Sequence, residues 1–78
     1  MLQKKLCLVV TFDATAAAIA AEKYCLERGV PGRLIPVPRE ITAGCGLAWK
    51  AEVDQEEAVT AALEAAGIAY SGVHRVVI

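Results

Sequence analysis

GRLIPVPREITAGCGLAWKAEV, residues Gly32 to Val53, holds two short apolar runs with no helical segment between them. Gly32 to about Val37 (GRLIPV) reads as one strand, and Gly46 to about Val53 (GLAWKAEV) as the next. In the second run Leu47, Trp49, Ala51 and Val53 share one face, while Lys50 and Glu52 lie on the other. Pro36 and Pro38 cannot donate to a ladder, so the first run is an edge strand or leaves the sheet there.

Upstream, ATAAAIAAEKYCLER contains helix formers and no breaker. Asp13 or Thr15 can cap its start, Gly29 suits a left-handed C-terminal cap, and Pro31 enforces the stop. Ala14, Ala18, Ala21 and Cys25 fall on one small-residue stripe that can approach a sheet closely. Before that helix, Lys5 to about Thr11 (KLCLVVT) reads as a strand buried on both faces. Downstream, Asp54 and Glu57 have capping-box spacing, and Val59, Ala62, Leu63 and Ala66 recur at helical period until Gly67. The last segment, IAYSGVHRVVI, reads as a final strand with a bulge or bend at Ser71-Gly72. ERGVPG and AAGIAY look like copies of one helix-to-strand turn, which suggests a weak internal duplication.

The order is therefore β-α-β-β-α-β. It predicts an α+β class fold, the ferredoxin-like βαββαβ sandwich, with a four-stranded antiparallel sheet and two helices on one face. The other face is then partly open, which invites dimerisation or a covering partner.

With 78 residues the chain makes one small domain, spanning 1–78. Hydrophobic residues reach 56%, but many are alanines that bury little area, so modest stability is expected. A net charge of −1 argues against a nucleic-acid partner, which needs a basic stripe. No apolar run is long enough to cross a bilayer, so no membrane partner is expected. The opening MLQKKLCLVVTF imitates a signal peptide only faintly, because Asp13 interrupts a short apolar stretch. Three cysteines without a CxxC pair argue against a disulfide framework and for the reducing cytoplasm. No cofactor or metal ligand set is evident.

The connection PREITAGCG is longer than a hairpin needs, and such loops are often functional. Cys45 stands in it between Gly44 and Gly46. Thr42, three residues earlier, can cap one helical turn whose unpaired N–H groups would face the sulfur and favour its thiolate. Arg39 could add positive charge, with Lys50 a weaker candidate. Gly44 removes bulk beside the sulfur, Gly46 permits a positive φ, and Pro36 and Pro38 stiffen the approach. Such a cysteine could accept sulfur as a persulfide, hold selenium, form a mixed disulfide, or bind a metal with outside ligands. A Cys–His pair would require His74 to fold beside it. The plainer reading is a tight turn with cysteine as a small apolar filler. Cys7 and Cys25 read as core fillers, Trp49 as core or sheet cover, and His74 as an exposed strand residue.

The run Arg33-Leu-Ile-Pro-Val-Pro-Arg-Glu-Ile-Thr, then Ala43-Gly44-Cys45-Gly46, resembles the selenium/sulfur (Se/S) carrier protein-like family. Pro38, Arg39, Ile41, Thr42, Cys45 and Gly46 match its motif position by position. The resemblance covers nearly the whole chain. It implies a carrier in which Cys45 holds sulfur or selenium as a persulfide or selenosulfide. It also implies a donor such as a cysteine desulfurase, and an acceptor of the TusA type or of a selenium pathway. Whether such a carrier counts as an enzyme stays open. Two rivals stand beside it: a non-catalytic ferredoxin-like module that dimerises or binds a small ligand, and a thiol redox sensor. A metal-chaperone form of the module would need paired cysteines after the first strand, where this chain reads TFDATA.

Overall fold

The computed structural model describes residues 4–41 and 45–78. In chain order its elements are β1 (Leu6–Thr11), α1 (Thr15–Arg28), β2 (Arg33–Pro36), β3 (Leu47–Glu52) and α2 (Glu56–Ala65), then β4 (Gly72–Val77). A short 3-10 turn, Val53–Gln55, joins β3 to α2. The strands form one sheet in the order β2-β3-β1-β4. All three pairings are antiparallel. This is the expected α+β, ferredoxin-like arrangement.

The burial of each strand explains its place. Cys7, Leu8, Val9 and Val10 of β1 are fully buried, as a central strand covered on both faces requires. Leu8, Val10 and Phe12 pack with Trp49 and Ala51 against Ala18, Ala21 and Cys25 of α1 and Val59 and Leu63 of α2. Both helices therefore lie on one sheet face. The small stripe of α1 lets its backbone come close, although Ala14 itself is exposed. Trp49 is fully buried and its indole N–H donates to the Pro31 carbonyl at 3.1 Å. Gly32 leaves room for that ring: a Cβ there would lie 2.3 Å from the indole nitrogen.

The two helix stops share one geometry. Gly29 has φ 68° and the next amide, Val30, donates to the Cys25 carbonyl at 2.8 Å. Gly67 has φ 69° and Ile68 donates to Leu63 at 2.9 Å. Each is a left-handed glycine followed by a bond that reaches back five residues, the Schellman pattern.

The helix starts differ from expectation. The N-cap of α1 is Ala14, with no side-chain cap, so neither Asp13 nor Thr15 plays that part. Asp13 falls one residue before the cap and Thr15 one after it, where their oxygens do not meet the orphan amides in cap geometry. Asp54 likewise caps nothing: the chain leaving β3 winds directly into the 3-10 turn, and the N-cap of α2 is Gln55. Glu56 and Glu57 do fall in the first helical turn, where the dipole favours them.

β4 is also shorter than the sequence suggests. Ile68 and Tyr70 turn inward onto the helix-side core, and the ladder starts only at Gly72, opposite Thr11. Ser71 instead closes the corner, donating its amide to the Thr11 carbonyl at 2.8 Å. The far sheet face is less open than expected. Ile41 packs there with Val9 and Ala48, flanked by Ile35, Val37, Val76 and Ile78. The loop after β2 thus covers part of the sheet that the helices leave bare.

Candidate functional site

The connection from β2 to β3 is pinned at several points, and these fix where Cys45 sits. Beyond the last ladder residue of β2, the Val37 amide donates to the Gly46 carbonyl at 2.9 Å, prolonging the β2–β3 pairing. The chain then turns, with the Ile41 amide donating to the Pro38 carbonyl at 3.0 Å. Arg39 and Glu40 stand exposed at the tip of that turn, and Pro38 is half-buried. Ile41 anchors the turn because its side chain is drawn under the sheet. Thr42 and Gly44, two of the residues expected to serve the sulfur, lie outside the described residues.

Cys45 emerges where β1 leads toward α1. Its amide donates to the Phe12 carbonyl at 2.8 Å, just beyond the end of β1. Its side chain is half-buried and rests against the rim of the helix-side core. Its sulfur lies 3.9 Å from the Leu47 carbonyl oxygen, within reach of a weak S–H bond. The resting thiol therefore donates weakly to a carbonyl, and its own amide is committed to Phe12. Gly46 has φ +95° with open space where a Cβ would be, so its conformation alone calls for glycine. Together the Phe12 and Val37 bonds tie Cys45 and Gly46 to the strands on either side of β3.

The three thiols differ sharply. Cys7 and Cys25 are fully buried, in keeping with core filling, whereas Cys45 keeps part of its surface open. Burial pushes the Cys25 thiol pKa up. His74 does not join Cys45. It pairs opposite Val9 and so projects to the far face, half-buried beside Gly72, while Cys45 packs on the helix side. Arg39 takes part in neither ion pair found among the described residues, Lys5–Glu52 and Arg75–Glu56.

Among the described residues, two surface cavities stand out, and neither is lined by Cys45. One of about 630 Å³ lies at the start of α2, lined by Val53, Asp54, Glu56, Glu57, Ala58 and Arg75. A smaller one of about 230 Å³ lies at the β2–β3 end, between Arg33 and Glu52. The larger is a charged surface hollow. Among the described residues, no group of three or more His, Cys, Asp or Glu side chains converges as metal ligands. Nor is any described helix long and apolar enough to cross a membrane.

Two elements of the site were not foreseen from the sequence. The Phe12 carbonyl that holds Cys45 is a backbone group and leaves no signature in the residue letters. Ile41 did leave one, as an apolar residue within an otherwise polar loop tip. A family model described as "Putative Se/S carrier protein-like" matches residues 7–75. No curated protein and no solved structure matches the chain.

Proposed function

The chain belongs to the Se/S carrier protein-like family, and from that premise we propose that it is a small carrier of sulfur or selenium, holding the atom on Cys45. The observation that supports Cys45 over the other cysteines is exposure. Cys7 and Cys25 are sealed in the core, while Cys45 is partly open at the end of the sheet. A macromolecular donor could approach it there without unfolding the domain.

Loading is a thiol exchange. The Cys45 thiolate attacks the outer sulfur of a donor persulfide, a new S–S bond forms, the donor's own S–S bond breaks, and the donor thiolate leaves. No net oxidant is required, because the persulfide arrives already oxidised. Unloading is the same step onto an acceptor thiol. With selenium the product is a selenosulfide. On ionisation the sulfur loses its weak bond to the Leu47 carbonyl, so the anion needs other support. Arg39 and Thr42 are assigned that role, with Pro38, Gly44 and Gly46 shaping access. The donor in this reading is a protein such as a cysteine desulfurase, the acceptor is a TusA-type or selenium-pathway protein, and the exchange takes place in the cytoplasm.

The test is intact-protein mass spectrometry after incubation with a cysteine desulfurase and cysteine. The expected result is a gain of one sulfur atom, absent from Cys45→Ser and removed by a thiol reductant. No gain in the native protein, or an equal gain in the variant, refutes the reading.

A further inference from the structure

The two edges of the sheet are built differently. In the β1–β4 ladder, Lys5 and Ile78 exchange both backbone bonds, at 3.3 and 3.1 Å. Hydrogen-bonded pairs recur at every second residue of an antiparallel ladder. The phase set by Ile78 therefore turns the backbone groups of Val76 and His74 toward β1. Those of Val73, Arg75 and Val77 point outward from the edge. The other edge is closed. Val37 bonding to Gly46 sets the phase of β2, so Ile35 and Arg33 face inward and Leu34 and Pro36 face outward. Pro36 has no N–H to offer, and β2 has only four residues. Proline and short length are the usual protections of an edge strand. β4 has six residues, no proline, and neither protection.

The side chains along β4 show the same asymmetry. Val77 is 52% exposed and its ladder partner Leu6 is 46% exposed, so an apolar pair lies uncovered at this edge. Arg75 pairs with Glu56 and borders the larger cavity, whose other charged walls are Asp54 and Glu57. Beside the open strand the Arg75 guanidinium is thus paired with the Glu56 carboxylate, and two further carboxylates line the same hollow.

We propose that β4 is the dimer interface of this protein, taking β4 of a second copy in antiparallel register to form one continuous eight-stranded sheet. The free groups fix the register. Only residues 73, 75 and 77 can bond outward, and the alignment that uses all three places Arg75 on the two-fold axis, with Val73 opposite the partner copy's Val77 and the reverse. This gives three hydrogen-bonded pairs and two valine–valine contacts. Two arginines meeting on an axis would ordinarily repel. Here each Arg75 is already paired with Glu56 of its own chain, so two neutralised ion pairs, not two bare cations, meet at the axis. The contact is isologous, so it closes at two copies. Because the joined strands run in opposite directions, the two Cys45 thiols lie at opposite ends of the joined sheet, unable to oxidise to one another within the dimer.

The test is sedimentation equilibrium of the full chain and of Val77→Pro. The N–H lost at residue 77 points outward, so the internal ladder is untouched and the monomer should keep its fold. The expected result is a native mass twice the 8.2 kDa of one chain. Val77→Pro should then dimerise roughly tenfold more weakly or worse, having lost one bond per copy. Val77→Lys, which cannot be blamed on backbone disruption, should weaken it likewise. Hydrogen exchange should protect the amides of Val73, Arg75 and Val77 in the native protein. A native protein that stays monomeric at about 0.5 mM overturns the proposal. So does a dimer that survives both variants, or one broken instead by Ile19→Lys on the exposed face of α1.

Discussion

Gly32 and Gly46 stand immediately before β2 and β3, both with positive φ, and substituting each by alanine separates two costs that usually come mixed. Gly46 has φ +95° and nothing within 4 Å of the site where a Cβ would stand. Gly46→Ala therefore pays only the conformational penalty of an L-residue in left-handed territory, about 1–2 kcal/mol. Gly32 has φ +130°, and its Cβ would lie 2.3 Å from the Trp49 indole nitrogen, 2.5 Å from the Lys50 carbonyl oxygen and 2.7 Å from the indole Cε2. The obstacles are a backbone atom and a ring held on both sides, so neither yields cheaply. Overpacking adds about 1–3 kcal/mol, for a total of about 2–5 kcal/mol in Gly32→Ala. A domain of this size holds about 4–12 kcal/mol in all, so the second variant should lose a large share of its stability. Urea unfolding followed by emission of Trp49, the lone tryptophan, measures both. At about 1 kcal/mol per molar urea, the midpoint should fall by about 1–2 M in Gly46→Ala and by 2 M or more in Gly32→Ala. Equal losses, or a larger loss at Gly46, would refute the reasoning, because the indole and the Lys50 carbonyl would then not be a rigid wall.

Two further outcomes are expected. Iodoacetamide under native conditions should add to one thiol only, mapped to Cys45 by peptide mass, while Cys7 and Cys25 react after denaturation; early labelling of either would contradict their full burial. Stability should fall with rising alkaline pH, and Cys25 should contribute to that fall. Below the ordinary thiol value of 9.0, Cys25 is neutral in both states; above it the unfolded chain releases the proton while the folded thiol, raised by burial, retains it. The urea midpoint should drop less steeply from neutral to alkaline pH in Cys25→Ala than in the native protein, and identical slopes would count against the burial effect.

Most of the fold was legible because each element carries its own periodic or punctuating residues. The Val-rich run at Cys7–Val10 announces a two-sided strand, Leu47, Trp49 and Ala51 announce the helix-side face of β3, and Gly29 and Gly67 stop their helices by the same left-handed turn; the burial of Ala48 on the opposite face and the exit of Val53 into the 3-10 turn were not announced. The helix starts were misread for a single reason. Asp13, Thr15 and Asp54 are good capping residues in composition, but the exit paths of β1 and β3 place Ala14 and Gln55 at the cap instead. Tertiary connection decided the position, and the letters could not. The candidate site was legible only in part. That Cys45 differs from Cys7 and Cys25 could be read from its glycine neighbours and its loop. That its amide is tied to Phe12 could not, since the tie joins backbone atoms more than thirty residues apart in sequence. The cover that Ile41 gives the far face was hidden for a similar reason: one isoleucine in a loop has no period, and only the assembled sheet shows what it fits.

β1 pairs on one side with β3 and on the other with β4, so Cys7 lies opposite both Glu52 and Val76. β1 is thus synthesised before either of its neighbours. While the chain grows, this apolar segment has no strand to join until Leu47–Glu52 exists, and no second neighbour until β4 follows. Closing such long loops before any sheet contact rewards them makes assembly slow and late compared with a helical domain of equal length. A nascent chain stopped before β4 would carry an unsatisfied central strand, making it a substrate for chaperones or proteases rather than a partly working protein.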